Sequence, residues 1–428
     1  SHAFSGIIYI ESLILESNSL KNINLSLVTL EKLNLKDNDI SYLEDNMFSK
    51  LINLKELRLD NNYLDIIQVD AFKNLDLLQK LFLNENEIKY FYDNVFNHLH
   101  NLELLDLSNN YLEQINKKLF ENLVNLFDLR LKDNLIKYIE PYSFMQNEKL
   151  GVHDMKNYEF NLKYQKINNI DPYLFYGPAN IGIIDLSGNL LTKISNRSFY
   201  GQTKLNKLDL SENQISVIEL NAFESLTSLN SLILSGNKIE RIENGVLRHL
   251  KKLSILSIDS NYILQIYNHQ HRFSFFSGIE TSLTLLNLKK NHIQKINKID
   301  FIKLSNLLRL TLDQNQISLI NNGSLDNLRK LELLSLKSNC LRNIKSYMFK
   351  RLKDLKRLDL SVNLIIEIQL DSFNYLQSLE HLNLSHNQIF FVTTKMFDNL
   401  IKLGVLDLSN NFIKNIIHDT RKYNGYIQ

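Results

Sequence analysis

The residues that could do chemistry in this chain of 428 residues are a histidine pair, a lone cysteine and a set of aspartates. His269 and His271 stand two residues apart and could chelate a metal ion, but no cysteine or second histidine pair lies nearby at a ligand spacing. Cys340 is the one thiol of the chain, so no internal disulfide forms, and the neighbouring Lys-Ser-Asn-Cys-Leu-Arg contains no histidine base. We interpret the histidines as part of a solvated loop and Cys340 as an ordinary repeat residue.

The aspartates recur at the outward position between two core residues, and several belong to a repeated Leu-Asp-Leu-Ser block. They are Asp106, Asp154, Asp185, Asp209, Asp359 and Asp407. Acid–base catalysis needs carboxylates in a cleft with perturbed pKa values, whereas architecture explains a residue that returns with the repeat. The sequence also has no phosphate-binding glycine loop and no Gly-x-Ser-x-Gly element. It therefore predicts no enzyme, no metal site, no cofactor and no small-molecule substrate.

The elements that position these residues form one repeating pattern. Residues 54–64 have the pattern Leu-x-x-Leu-x-Leu-x-x-Asn-x-Leu, and its asparagine returns mostly every 24 residues. The asparagines are Asn18, Asn38, Asn62, Asn86, Asn110, Asn134, Asn189, Asn213, Asn237, Asn261, Asn291, Asn315, Asn339, Asn363, Asn387 and Asn411. Tyr158 stands where one more is due, which makes about 17 repeats. A fixed period of about 20–29 residues with this pattern indicates a solenoid.

Each repeat predicts a short strand, a bend and a return segment. In residues 57–59 the leucines alternate with Arg58, so the leucines face the interior and Arg58 faces outward from a parallel sheet. Asparagine carries an acceptor and a donor on a short stem, so it can bond to backbone groups left unpaired at the bend. The sequence predicts an α/β solenoid of horseshoe type, with parallel strands on the concave face and an irregular or short-helical convex side.

A phenylalanine lies 14 residues before most of these asparagines, and stacked rings would fill the convex wall. This column contains Phe4, Phe48, Phe72, Phe96, Phe120, Phe144, Phe175, Phe199, Phe223, Phe301, Phe349, Phe373 and Phe397. Leu247 and Leu325 take the place in two repeats. The column predicts core packing and no cofactor site.

We predict a single domain over residues 1–428, cut within a repeat at the N-terminus, probably truncated at the C-terminus as well, and without cysteine-rich caps. Two repeats are long: 31 residues separate Tyr158 from Asn189, and 30 separate Asn261 from Asn291. Extra residues in a solenoid loop out from one face and often carry function, although loops of this length are also tolerated at little cost in free energy.

The outward strand positions are the candidate binding surface. The net charge of +2 indicates no nucleic-acid surface, and no apolar run is long enough to cross a membrane. Exposed aromatic residues beside arginines are typical of protein-binding hot spots, so Arg58, Phe82, Phe127 and Arg130 are the candidate contacts. Single exposed apolar residues are also common on surfaces that bind nothing. Asn196 and Asn322 head sequons predicted on the convex side and are the candidate glycosylation sites.

The unit Leu-x-x-Leu-x-Leu-x-x-Asn-x-Leu-x-x-Ile-x-x-x-x-Phe-x-x-Leu resembles the 24-residue leucine-rich repeat of extracellular proteins over nearly the whole chain. The uninterrupted array without a cysteine cluster resembles the chaoptin family of insect cell-surface adhesion proteins. That resemblance implies a cell-surface protein that binds protein partners, with copies of itself as one option, and that any membrane attachment lies outside this chain. Toll-type receptor ectodomains share the unit, and an intracellular scaffold is the remaining alternative.

Overall fold

The computed structural model describes residues 9–152, 158–266 and 276–417, and it shows a parallel β-solenoid with almost no helix. Contacts divide the chain into two compact units, Ser1–Leu229 and Asn230–Gln428. The strands of the first unit are β1 (Ser12–Ile14), β2 (Lys32–Asn34), β3 (Tyr42–Leu43), β4 (Glu56–Arg58), β5 (Ile66–Ile67), β6 (Lys80–Phe82), β7 (Leu104–Asp106), β8 (Gln114–Ile115), β9 (Asp128–Arg130), β10 (Tyr138–Ile139), β11 (Glu159–Asn161), β12 (Ile183–Asp185), β13 (Lys193–Ile194), β14 (Lys207–Asp209) and β15 (Val217–Ile218). Those of the second unit are β16 (Ser231–Ile233), β17 (Ile255–Ser257), β18 (Leu285–Asn287), β19 (Lys295–Ile296), β20 (Arg309–Thr311), β21 (Leu319–Ile320), β22 (Leu333–Ser335), β23 (Asn343–Ile344), β24 (Arg357–Asp359), β25 (Glu367–Ile368), β26 (His381–Asn383), β27 (Phe391–Thr393), β28 (Val405–Asp407) and β29 (Asn415–Ile417), with a 3-10 helix at Thr394–Met396.

The three-residue strands at the start of successive repeats pair in parallel. In the first unit β1, β2, β4, β6, β7 and β9 are neighbours in that order, and β11, β12 and β14 follow. In the second unit the order is β16, β17, β18, β20, β22, β24, β26 and β28. We call the outward side of these strands the sheet face, and the segment after each repeat asparagine the return side. The predicted fold class, a leucine-rich-repeat solenoid with short parallel strands, is confirmed.

The repeat asparagines tie neighbouring repeats together. Asn110 is 5% exposed, and its amide donates to the carbonyls of Leu83 at 2.9 Å, Leu107 at 3.2 Å and Ser108 at 3.2 Å. Its side-chain oxygen accepts the N–H of Ile88 at 3.1 Å. One side chain therefore satisfies four backbone groups in two repeats.

The residue before each repeat asparagine has a left-handed backbone, which the sequence pattern did not suggest. Asn109 has a φ of 53°, Tyr164 a φ of 55° and Val362 a φ of 56°. The sharp exit from the strand requires this conformation, which is unfavourable for a β-branched residue such as valine. The need for it overrides the identity of the residue.

The phenylalanine column packs in stacked runs on the return side. Phe72 lies 6.4 Å from Phe48 and 6.0 Å from Phe96 between ring centroids. Phe276 also belongs to the column, 6.5 Å from Phe301 and 1% exposed. Its position one residue off the expected spacing concealed it in the sequence. Phe4, Asp154, His269 and His271 lie outside the described residues.

The prediction that Tyr158 stands at a repeat-asparagine position is wrong, because Gln165 occupies that place. The Gln165 side chain is 4% exposed, accepts the N–H of Ile136 at 3.1 Å and donates to the carbonyl of Leu131 at 3.1 Å. These are the bonds that an asparagine makes to the preceding repeat elsewhere. The long interval therefore runs from Asn134 to Gln165, and Gln165 to Asn189 is a regular 24 residues.

Tyr158 instead fills a break in the parallel pairing. The sheet that begins with β1 ends at β9, and β11 begins the next set of strands. The Tyr158 hydroxyl accepts the N–H of Leu129 at 3.1 Å and donates to the Leu129 carbonyl at 3.2 Å. Burial raises the pKa of Tyr158 well above its ordinary value. The phenol thus replaces the backbone partner that a neighbouring strand would supply.

Tyr158→Phe is expected to lower the free energy of unfolding by about 2 kcal/mol, because it leaves both Leu129 backbone groups without their partner in a buried place. Equilibrium unfolding in urea measures the loss. Tyr111→Phe is the control, because Tyr111 is 48% exposed and its change is expected to stay within about 0.5 kcal/mol. Equal losses in the two variants would contradict the role given to the Tyr158 hydroxyl.

Candidate interaction surface

The recurring aspartates hold the bend after each strand. The Asp106 carboxylate accepts the N–H of Ser108 at 3.0 Å and its hydroxyl at 2.6 Å. Asp209 and Asp407 accept the same pair of bonds from Ser211 and Ser409. The hydrogen bond from the Ser409 hydroxyl holds the pKa of Asp407 below its ordinary value. The Leu-Asp-Leu-Ser block therefore has a local structural function.

Three of the four candidate contact residues lie in one row on the sheet face. The strand registers place Arg58 beside Phe82, Phe82 beside Asp106, and Asp106 beside Arg130. The row crosses β4, β6, β7 and β9. Each of these side chains takes the last position of its strand, where the alternation points it outward. We call Arg58, Phe82, Asp106 and Arg130 the sheet-face row.

At one end of the row, an arginine is held over an aromatic ring. The Arg58 guanidinium carbon lies 4.8 Å from the centroid of the Phe82 ring. Nε and Nη2 of Arg58 donate to the two carboxylate oxygens of Asp60 at 3.0 and 2.9 Å. This bond raises the pKa of Arg58, and the carboxylate is itself buried. Arg58 is thus fixed in place, with a half-buried phenylalanine beneath it.

At the other end, Arg130 links two carboxylates beside the break in the sheet. It contacts Asp128 at 2.8 Å on its own strand and Asp106 at 3.2 Å on β7. A cleft of about 310 Å³ opens next to it, with Lys132, Glu159 and Asn161 in its lining. The sheet-face row therefore ends at a polar opening between β9 and β11.

Phe127 does not belong to the sheet-face row. It precedes β9, its N–H donates to the carbonyl of Glu103 at 3.0 Å, and its own carbonyl accepts the N–H of Gly151 at 3.1 Å. The side chain is half-buried. Sequence spacing alone could not separate its place from that of Arg130.

The two candidate glycosylation asparagines are exposed on the return side, at Asn196 and Asn322. The serines of both sequons are buried, and their hydroxyls donate to the carbonyls of Ile170 at 3.1 Å and Ile296 at 3.0 Å. Ser372 makes the same bond to Ile344 at 2.9 Å without a sequon. The fold thus accounts for these serines without a glycan.

Two searches confined to described residues found nothing. No group of three or more His, Cys, Asp or Glu side chains in the described ranges could hold a metal ion. Within those same ranges, no helix reaches the length and apolarity that a bilayer crossing needs.

Family comparisons match the repeats directly. A profile described as "Leucine rich repeat" matches residues 158–215, 203–263, 281–341 and 330–389, together half of the chain. A "BspA type Leucine rich repeat region" matches residues 26–151 in 6 copies, and a further leucine-rich-repeat profile matches residues 378–401. Podocan of Mus musculus is 45% identical over 64 residues, which are 15% of this chain and 10% of podocan.

Solved structures share the fold. The Toll–Spätzle complex of Drosophila contains a chain with a TM-score of 0.77 and 22% identity, covering 95% of this chain and 55% of that one. The TLR13–ssRNA13 complex gives a TM-score of 0.64 at 23% identity, over 94% of this chain and 71% of the other. A plant peptide hormone receptor, RGFR1 with RGF2, gives 0.55 at 22% identity, over 94% and 67%. The chain thus spans a tenth of podocan and about half of the Toll structure's chain.

Proposed function

We propose that this chain, which belongs to the leucine-rich-repeat family, is a non-enzymatic protein-binding segment of a cell-surface adhesion protein. The observation that carries the proposal is the sheet-face row, in which Arg58 is fixed over Phe82 and Arg130 links two carboxylates. Arginine and aromatic side chains are enriched among the residues that contribute most to protein interfaces. Because their partners within the chain already hold these side chains, binding costs little conformational entropy.

Contact between two copies of the chain is the specific form of the proposal. The row alternates cationic, aromatic, anionic and cationic groups, in the order Arg58, Phe82, Asp106, Arg130. Two copies can therefore pair in opposite directions, as a two-fold interface requires. The chaoptin-like repeat pattern supports adhesion as the setting.

Bead aggregation tests this form of contact. Beads coated with the chain are expected to cluster, and the double variant Phe82→Ala with Arg130→Ala is expected to cluster at least roughly tenfold more slowly, because it removes the row's exposed ring and a terminal cation. Tyr63→Ala is the control, since Tyr63 is 56% exposed and lies outside the row. Clustering that survives in the double variant would remove the row from the proposal.

A receptor ectodomain for a soluble ligand is the second candidate, because the Toll structure shares the fold at a TM-score of 0.77. Beads of a receptor segment stay dispersed by themselves. Dispersed beads would therefore reject adhesion between identical copies while leaving a protein ligand as the partner.

Surface location is tested separately. An antibody raised against this chain is expected to stain intact cells that express the gene, and N-glycosidase is expected to shift the protein's mobility through Asn196 or Asn322. Staining that requires permeabilised cells, with no mobility shift, would favour the intracellular scaffold.

A further inference from the structure

Four tyrosines form a contiguous patch on the return side of the first unit. Ring centroids are 5.6 Å apart for Tyr142 and Tyr173, 6.4 Å for Tyr142 and Tyr176, 5.2 Å for Tyr173 and Tyr200, and 5.9 Å for Tyr176 and Tyr200. Tyr142, Tyr176 and Tyr200 are 43%, 39% and 38% exposed. We call these four residues the tyrosine patch. It stands apart from the sheet-face row and from the function proposed for that row.

Two tyrosines of the patch sit at the tips of strained turns. Tyr142 and Tyr173 have φ values of 66° and 67°. Each turn is closed by a backbone bond, from Ser143 N–H to Glu140 at 3.2 Å and from Leu174 N–H to Asp171 at 3.2 Å. Proline precedes each tyrosine, which gives the arrangement of a type II turn with a bulky residue where glycine or asparagine is usual.

The same turn elsewhere in the chain carries the residues that its backbone favours. Asn46, Asn94, Gly245 and Gly323 occupy the equivalent position with φ values of 62°, 65°, 86° and 79°. A left-handed backbone costs an L-residue such as tyrosine roughly 1–2 kcal/mol. Strain of this kind is concentrated at functional positions. All 3 prolines of the chain, at positions 141, 172 and 178, also lie in this region.

Gly177 brings the rings together. Its φ is 124°, and a Cβ there would lie 2.4 Å from the carbonyl oxygen of Phe144 and 2.7 Å from Cα of Met145. This close approach of the backbone sets Tyr176 edge-on to Tyr142. Strained turns and a close glycine contact thus converge on one exposed aromatic surface.

The surroundings of the patch indicate the charge of its partner. A cavity of about 240 Å³ beside Tyr142 is lined by Lys117, Lys118, Glu121 and Met145, among others. The two lysines are paired, Lys117 with Glu140 at 3.7 Å and Lys118 with Asp93 at 3.2 Å. Among the residues that the structure describes, Glu121 forms no such pair. The charge left over in the cavity is therefore negative.

The aromatic rings favour the same kind of ligand. The face of a tyrosine ring attracts a cation, most effectively where both are withdrawn from water. Arg197 already uses the edge of the patch, where its Nη1 donates to the Tyr173 hydroxyl at 2.8 Å. Met145, 44% exposed, adds an adaptable apolar side chain beside the cavity.

We infer that the tyrosine patch is a docking surface for a segment of a partner protein that carries arginine or lysine, with the cation over the rings and next to Glu121. A random library of 12-residue peptides displayed on phage is the probe, panned on the whole chain. Peptides rich in Arg or Lys with apolar neighbours are expected. Their Kd should rise at least roughly tenfold for Tyr142→Asn with Tyr173→Asn, as the loss of desolvated cation–π contacts implies.

The variants preserve the fold by design, because asparagine occupies these turns naturally at Asn46 and Asn94. Their thermal midpoint is expected at or above that of the unchanged chain. Tyr111→Asn is the matched control, since Tyr111 is 48% exposed outside the patch, and it should leave the Kd unchanged. Glu121→Gln should weaken the basic peptides several-fold.

A second readout locates the binding. With only 5 methionines in the chain, the ¹³C-methyl signal of Met145 is readily assigned and is expected to shift when a selected peptide is added. Peptides that bind the double variant as tightly as the unchanged chain would overturn the inference. Selection of acidic peptides, or a Met145 signal that does not move, would overturn it as well.

Discussion

Phe72→Ala is expected to lower the free energy of unfolding by about 3–5 kcal/mol. Phe72 is 0% exposed and packs between Phe48 and Phe96, at centroid distances of 6.4 and 6.0 Å. Truncation removes the buried ring and leaves a cavity that two neighbouring repeats cannot close, because their own rings are held by further stacking. Equilibrium unfolding in urea, followed by circular dichroism, measures the loss.

Phe72→Leu is the matched variant, and the chain itself supplies its precedent. Leu247 and Leu325 take the phenylalanine place in two repeats and are 0% and 1% exposed. The leucine variant is therefore expected to lose about 1–2 kcal/mol, well under the alanine loss. In a solenoid, stability depends on contacts between neighbouring repeats, so amide hydrogen exchange should speed up mainly around residues 48–96. Equal losses for alanine and leucine would contradict the stacking argument.

The sequence predicted the fold well because one periodic signal is repeated many times. Each strand exposes and buries alternate residues, as in β4, where Leu57 is 0% exposed between Glu56 and Arg58. The two departures from the pattern came from counting residues. Twenty-four residues after Asn134 lies Tyr158, but the local spacing of Phe160, Leu162 and Gln165 marks the real position.

Gln165 was missed because the expectation fixed the residue type. What the bend needs is an amide that reaches the previous repeat, and glutamine supplies one on a longer stem. Phe276 was missed for a related reason, since an insertion displaced it by one residue from the 14-residue spacing. In both cases the chemistry was retained while the numbering shifted.

The candidate surfaces were less accessible to prediction, because they depend on contacts between repeats. Arg58 and Phe82 are a regular repeat apart, and the sequence placed both outward, but the guanidinium over the ring follows from the Arg58–Asp60 bond. The tyrosine patch unites Tyr142 and Tyr173, 31 residues apart across the irregular repeat. The repeated Pro-Tyr dipeptide was a visible signal, but its meaning depended on the φ values of the turns.

Asn110→Asp is expected to lower the free energy of unfolding by roughly 3 kcal/mol at pH 7, the cost of losing an amide donor and of placing a charge among buried carbonyls. The Asn110 amide donates to three carbonyls between 2.9 and 3.2 Å, whereas a carboxylate donates to none and is repelled by all. Asn109→Asp makes the same chemical change one residue earlier, where the side chain is exposed, and should cost at most about 0.5 kcal/mol. Urea unfolding compares the pair. The Asn110→Asp loss should shrink as pH falls, because burial raises the pKa of the new carboxyl and protonation restores one donor. Equal losses for the two aspartates would mean that the asparagine bonds do not hold the repeats together.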